Sequence, residues 1–161
     1  MTVQAVSPIA WSDAFLLGHA AMDATHREFV DCVAALQAAG DDEITQRLAD
    51  FERHALAHFG AEQQWMERSA FPATQCHADE HAKVLSSVSE VRALVASGAD
   101  RQVVRDLALA LVEWFPGHAD YMDAALSHWL SQRQHGGAPV VLRRPAAQRS
   151  DPAMNQPKEL R

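Results

Sequence analysis

The chain has 161 residues, enough for one domain with a real core, or for one domain and a tail, and too few for two large domains. Hydrophobic residues make up 48% and aromatics 7%, with Gly and Pro sparse before residue 135, which suits a soluble helical protein rather than a strand-and-turn one. The net charge is −7, and residues 134–161 hold five Lys/Arg against two Asp/Glu, so the remainder is more acidic still and excludes nucleic acid and anionic membrane as partners.

Residues 1 to about 21 read as an arm. Pro8 and Gly18 discourage a continuous helix, while Trp11, Phe15, Leu16 and Leu17 need apolar cover, so the arm is expected to pack on the body. A first helix is predicted from about Met22 to Ala39, stopped by Gly40. Asp41 or Asp42 is expected to cap a second helix reaching about Ser69, where Phe71-Pro72 breaks it. A third spans roughly Ala73 to Ser97 and closes at Gly98. Asp100 caps a fourth, which reaches about Arg133 before Gly136, Gly137 and Pro139. Residues 1–133 thus form the domain, and 134–161 are expected to be a disordered tail, with basic residues scattered among Pro, Ala, Gln and Ser.

The apolar spacing settles the architecture. The second helix carries the seam Ile44, Leu48, Phe51, Ala55, His58, Glu62, Trp65, stepping by fours and threes. The third carries His77, His81, Val84, Val88, Val91, Val95. The fourth carries Val104, Ala108, Leu111, Phe115, His118, Met122, Ala125, Trp129, with Asp123 one step off the line. In the first, Phe29, Val30 and Val33 share the face of His26. Four amphipathic helices with short connections predict an all-α, up-down-up-down four-helix bundle.

Histidines and a glutamate on buried seams need compensation, because an unpaired buried carboxylate or imidazole costs several kcal/mol. A metal supplies it. The i, i+4 pairs His58 with Glu62 and His77 with His81 each present two donors to one point. His118 and Asp123 are five apart, about 140° around an ideal helix, and alone suggest no single-metal site. Cys32 and Cys76 are too few and too isolated for a disulfide framework or a thiolate cage.

Taken in order, the segments M-D-A-T-H ending at His26, H-F-G-A-E at 58–62, H-A-D-E-H at 77–81 and W-F-P-G-H-A-D-Y-M-D at 114–123 resemble the hemerythrin family, most closely its bacterial single-domain branch. The likeness runs from about Trp11 to Trp129, one piece per predicted helix. It implies reversible dioxygen binding at a non-haem di-iron centre, used for storage, delivery or sensing, with no net catalysis. His77, His81 and His118 would bind one iron, and His26 and His58 the other. Glu62 and Asp123 would bridge the two ions together with a solvent oxygen. Phe29, Phe59, Trp114 and Phe115 stand where the family lines its oxygen pocket, although Phe29, Phe59 and Phe115 are also ordinary bundle core. Within the family, the residue after the ligand matching His118 is usually a bulky aliphatic. Here it is Ala119, preceded by Pro116-Gly117, so thinner apolar cover and a local kink are expected.

The other functional class is a di-iron redox or iron-handling protein, an iron oxidase or a nitric-oxide handler. Ferritin-like oxidases use carboxylate-rich ligation with repeated Glu-x-x-His, whereas five histidines and two carboxylates favour binding. Asp23 serves either the first helix dipole or the surroundings of the site. Trp65 and Trp129 are assigned to core only, and His19, His54, His128 and His135 match nothing in the pattern. Met1 to Trp11 hold no basic segment followed by an apolar run, and nowhere do about 18 apolar residues run together, so a cytoplasmic location is expected. A monomer is expected, handing dioxygen to an unidentified oxygen-consuming acceptor protein.

Overall fold

The computed structural model describes residues 7–136. The expected tail from residue 137 onward, and the arm before residue 7, lie outside them. A short turn of 3₁₀-helix at Asp13–Phe15 leads into α1 (Ala20–Ala38), α2 (Ile44–Ser69), α3 (Thr74–Ala96), α4 (Gln102–His118), a π-helical turn at Ala119–Asp123, and α5 (Ala124–Gln134). Successive helices pack on one another and α4 closes back onto α1, which makes the expected four-helix bundle, with α4, the π-turn and α5 forming its fourth rod.

The ends follow local chemistry, with one difference from expectation. Helix α2 starts at Ile44 with Glu43 as its cap residue and no side-chain cap. The Gly40 carbonyl instead takes the N–H groups of Glu43 and Ile44, while Asp41 pairs with Arg105 at 2.6 Å. At the other end of α2, Ala70 takes a left-handed conformation at φ 51°, and the N–H of Phe71 reaches back to the Met66 carbonyl. Asp100 does cap the fourth rod, its Oδ1 accepting the Gln102 N–H at 2.7 Å.

Most seam residues are buried as expected, from His26, Phe29, Val30 and Val33 in α1 to Val104, Ala108, Leu111, Phe115 and His118 in α4. The exceptions are systematic. Trp65 is only half-buried and Met66 takes its place, since an α-helix drifts from a strict three-and-four alternation. Val91 is also half-buried. In the fourth rod the predicted Met122 and Ala125 give way to Asp123 and Leu126, and Trp129 is half-buried.

The π-turn explains that last slip. The Ala124 N–H bonds the Ala119 carbonyl, five residues back, so one extra residue is accommodated and everything after it rotates by one position. Tyr121 is thereby left outside, 81% exposed, and Asp123 is brought inside at 1%. The expected break beside His118 thus takes the form of a π-turn after it, and α4 continues as α-helix through Pro116.

The arm packs on the bundle. Trp11 and Phe15 lie against the main core cluster and against each other, with ring centroids 5.7 Å apart. Leu17 joins a second cluster with Met22, Met66 and Leu126. Leu16, expected to be covered, is exposed.

Candidate metal centre

All seven residues singled out as donors are buried and meet in the middle of the bundle. Helix α1 contributes His26, α2 His58 and Glu62, α3 His77 and His81, α4 His118, and the π-turn Asp123. Each imidazole turns its Nε2 inward. His118 Nε2 stands 3.1 Å from His77 Nε2 and 3.0 Å from His81 Nε2.

The carboxylates divide this cluster in two. Glu62 Oε1 lies 2.9 Å from His58 and 3.5 Å from His26, while its Oε2 lies 3.3 Å from His81 and 3.5 Å from His77. Asp123 repeats the division. Its Oδ2 is 3.1 Å from His26, and its Oδ1 is 3.0 Å from His77 and 3.3 Å from His118. Two donor groups result, Glu62, His77, His81, His118 and Asp123 in one and His26, His58 and Glu62 in the other, with donor atoms within 4.8 Å of one another in each.

Close approach does not make these atoms satisfied. Both Asp123 oxygens, Glu62 Oε2 and His26 Nε2 are buried without a well-directed hydrogen bond. Buried polar atoms are nearly always paired, so a cluster of orphans aimed at a common interior fits cations held between them. Mixed imidazole and carboxylate donors suit iron, zinc or manganese.

Electrostatics point the same way. Burial pushes the Glu62 carboxyl up, but the imidazoles of His26, His58, His77 and His81 outweigh it and hold the group well below its usual range. Asp123 is held down likewise by His118, His26 and His77, against burial and the charge of Glu62. Burial opposes charging of His26 and His77, yet Asp123 and Glu62 raise each to about 9. For His81, burial and the facing His77 and His118 prevail over Glu62, and its pKa falls. The core is built to stabilise positive charge.

Each aromatic residue expected to line the pocket touches an imidazole of the cluster. Phe59 stacks on His81 at 3.9 Å with planes 9° apart, and Trp114 stacks on His118 at 4.2 Å. Phe115 meets His26 edge-on at 5.5 Å, and Phe29 meets His58 at 5.8 Å. Phe29 and Phe115, stacked on each other at 4.8 Å, close over the two-histidine half. Surface clefts of about 260 and 290 Å³ reach instead the three-histidine half, at Phe59 with His81 and at Trp114 with His118. Ala119, after His118, is fully buried in the core cluster.

Asp23 stands in the first turn of α1, where its charge favours the helix dipole as expected, and it has a further role. Its carboxylate accepts the N–H groups of Leu17 at 2.8 Å and Gly18 at 3.1 Å, and so ties the arm to α1. Gly18 has φ 85°, a conformation that glycine adopts without strain. Ser127 Oγ completes the clamp by donating to the Leu17 carbonyl. Trp129 does more than fill space, since its indole N–H reaches the Ser69 carbonyl and hydroxyl at 3.3 and 3.1 Å. Sequence reasoning also passed over His54, one turn before His58, whose ring lies 5.4 Å from that of His58. Its i, i+4 spacing to His58, the same as that of His77 to His81, was the available signal.

No helix among the described residues is long and apolar enough to cross a membrane. Residues 17–130 match the family model described as the hemerythrin HHE cation binding domain. The chain is also 41% identical over 125 residues, 78% of its own length and 90% of the other, to a bacteriohemerythrin of Ralstonia nicotianae. Four donor-bearing segments in family order, folded so that their side chains converge, and this match over most of the chain place the protein in the hemerythrin HHE cation-binding family.

Proposed function

We propose that the chain binds dioxygen reversibly at a non-haem di-iron centre, as an oxygen storage, delivery or sensing module and not as an enzyme. The observation that carries this reading is the unequal division of five histidines across two shared carboxylates. His77, His81 and His118 would hold one iron and His26 and His58 the other, with Glu62 and Asp123 giving one oxygen to each. The two-histidine half thus offers one protein donor fewer than the three-histidine half, and dioxygen would be taken up on that side. When bound, the ferrous pair supplies the electrons that capture dioxygen and takes them back on release.

The remaining task falls to the protein's own side chains. Phe29 and Phe115 keep water and stray protons away from the two-histidine half, while Phe59 and Trp114 fix the ring planes of His81 and His118 by stacking. Five histidines and two carboxylates also differ from the carboxylate-rich sets of ferritin-like oxidases, which supports binding over oxidation. We infer a monomer that hands dioxygen to an oxygen-consuming acceptor protein. The test is anaerobic loading with ferrous iron, then air, then vacuum, following visible absorption. A coloured form that comes and goes over repeated cycles is the expected result, and a single irreversible change would overturn the reading.

A further inference from the structure

His54 is an enclosed imidazole for which the proposed metal-binding set has no use. Its side chain is 11% exposed, and its ring packs against Phe29 at 6.1 Å and against His58 at 5.4 Å with planes 61° apart. The two ring nitrogens face different surroundings. Nδ1 lies 3.7 Å from Oε2 of Glu28, a carboxylate in water, whereas Nε2 is buried without a hydrogen-bond partner. On the facing ring, His58 Nδ1 is also buried without a partner, while His58 Nε2 is directed at Glu62 Oε1.

Two orphaned nitrogens on neighbouring rings of one helix face call for a common explanation. An imidazole that gives Nε2 to a metal keeps its proton on Nδ1, and an acceptor there fixes the tautomer and ring plane. A neutral His54 with its proton on Nδ1, the nitrogen on the Glu28 side, carries its lone pair on Nε2, the inward nitrogen. The ring separation permits a bond to His58 directly, after a small rotation, or through one water.

We propose that His54 is a positioning residue that accepts the Nδ1 proton of His58 and so orients the α2 histidine of the two-histidine half. The inference rests on the metal-centre reading above. It predicts a one-sided effect, because His54 faces His58 and none of His77, His81 or His118. Loss of the acceptor strands the His58 Nδ1 proton beside Phe29 and weakens one metal position without touching the other.

The test uses zinc, which is redox-silent and diamagnetic, titrated into the metal-free full chain. His54→Phe, which keeps an aromatic ring and removes the acceptor, is expected to weaken the two-histidine position roughly tenfold, the scale of a lost outer hydrogen bond. The three-histidine position should stay within twofold of wild type. His54→Gln, which keeps an acceptor at similar reach, should restore the affinity. Histidine ¹⁵N spectra of the zinc-loaded wild type give a second readout independent of how the variants fold. They are expected to show His54 protonated at Nδ1 with a bare Nε2, and an exchange-protected Nδ1 proton on His58. A His54 protonated at Nε2, or Phe and Gln variants equal to wild type at both positions, would overturn the proposal and leave the metal centre standing. A wild-type chain that takes up no zinc would overturn both.

Discussion

Asp123 stands 3.1 Å from His26 of the neighbouring α1, while its other oxygen stands 3.0 Å from His77 of α3. One carboxylate therefore serves both halves of the cluster, and Glu62 does the same from α2. Asp123→Ala and Glu62→Ala are each expected to weaken both metals together, by roughly a hundredfold or more, beyond the range of outer-shell substitutions. Iron or zinc titration checks this. Retention of two tightly bound ions by either variant would show that the residue does not bridge.

In the metal-free protein, protonation sets a pH window. His26 and His77 are raised from 6.5 to about 9, so their contribution to stability is complete below pH 6.5 and is lost as pH rises through about 9. Glu62 and Asp123 are lowered from 4.5 and 3.8, so their contribution is complete above those values and is lost as pH falls through the depressed ones. Burial lowers His54 and His81, whose contribution is lost as pH falls below 6.5, so urea unfolding of metal-free protein should give greatest stability near pH 6.5, with a decline toward pH 9 and another on acidification. Bound metal should abolish the alkaline decline, since it takes the place of the protons.

The arm depends on one buried carboxylate. Asp23→Ala removes the acceptor for the Leu17 and Gly18 N–H groups and is expected to cost about 2 kcal/mol, the scale of a charge-assisted hydrogen bond. Hydrogen exchange at Leu17 and Gly18 should speed up more than exchange in α2 or α3. Uniform acceleration would point to global destabilisation instead.

Ala70 ends α2 with φ 51°, a conformation costing an L-residue with a β-carbon about 1 kcal/mol or more. Ala70→Gly is expected to stabilise the protein by about 1 kcal/mol and to raise Tm by roughly 3 °C. A thermal melt suffices, and an unchanged or lower Tm would show that the strain is relieved elsewhere.

The candidate donors were legible because polar residues interrupt otherwise apolar seams. His58 and Glu62, or His77 and His81, occupy positions that the fours-and-threes rhythm reserves for core, and the structure buries all four. The π-turn was hidden for the opposite reason. Its signature is a backbone hydrogen bond from Ala124 to Ala119, which no side chain announces, so the rhythm carried past His118 into Met122 and Ala125 when the chain had already slipped by one. The same slip turns the awkward five-residue gap between His118 and Asp123 into two residues of one buried face. Trp65 and Met66 are a milder case, because adjacent apolar residues at the end of a long seam are separated only by the cumulative drift of the helix. Asp23 was ambiguous because its partners, Leu17 and Gly18, are backbone donors whose position depends on the fold of the arm.

Indole and imidazole lie nearly face to face in Trp114 and His118, 4.2 Å apart and 24° from parallel. A redox-active ion on His118 would sit within electron-exchange distance of that indole, and its light emission should be quenched whenever the position is filled. The chain has four tryptophans, and replacing Trp11, Trp65 and Trp129 by phenylalanine would leave Trp114 as a single optical gauge of occupancy. Dimming of that emission as ferrous iron is added, and its recovery with a chelator, would report loading of the three-histidine half alone. A lamp fixed against one ligand ring would thus separate the filling of the two halves in time, which absorption of the paired centre does not do.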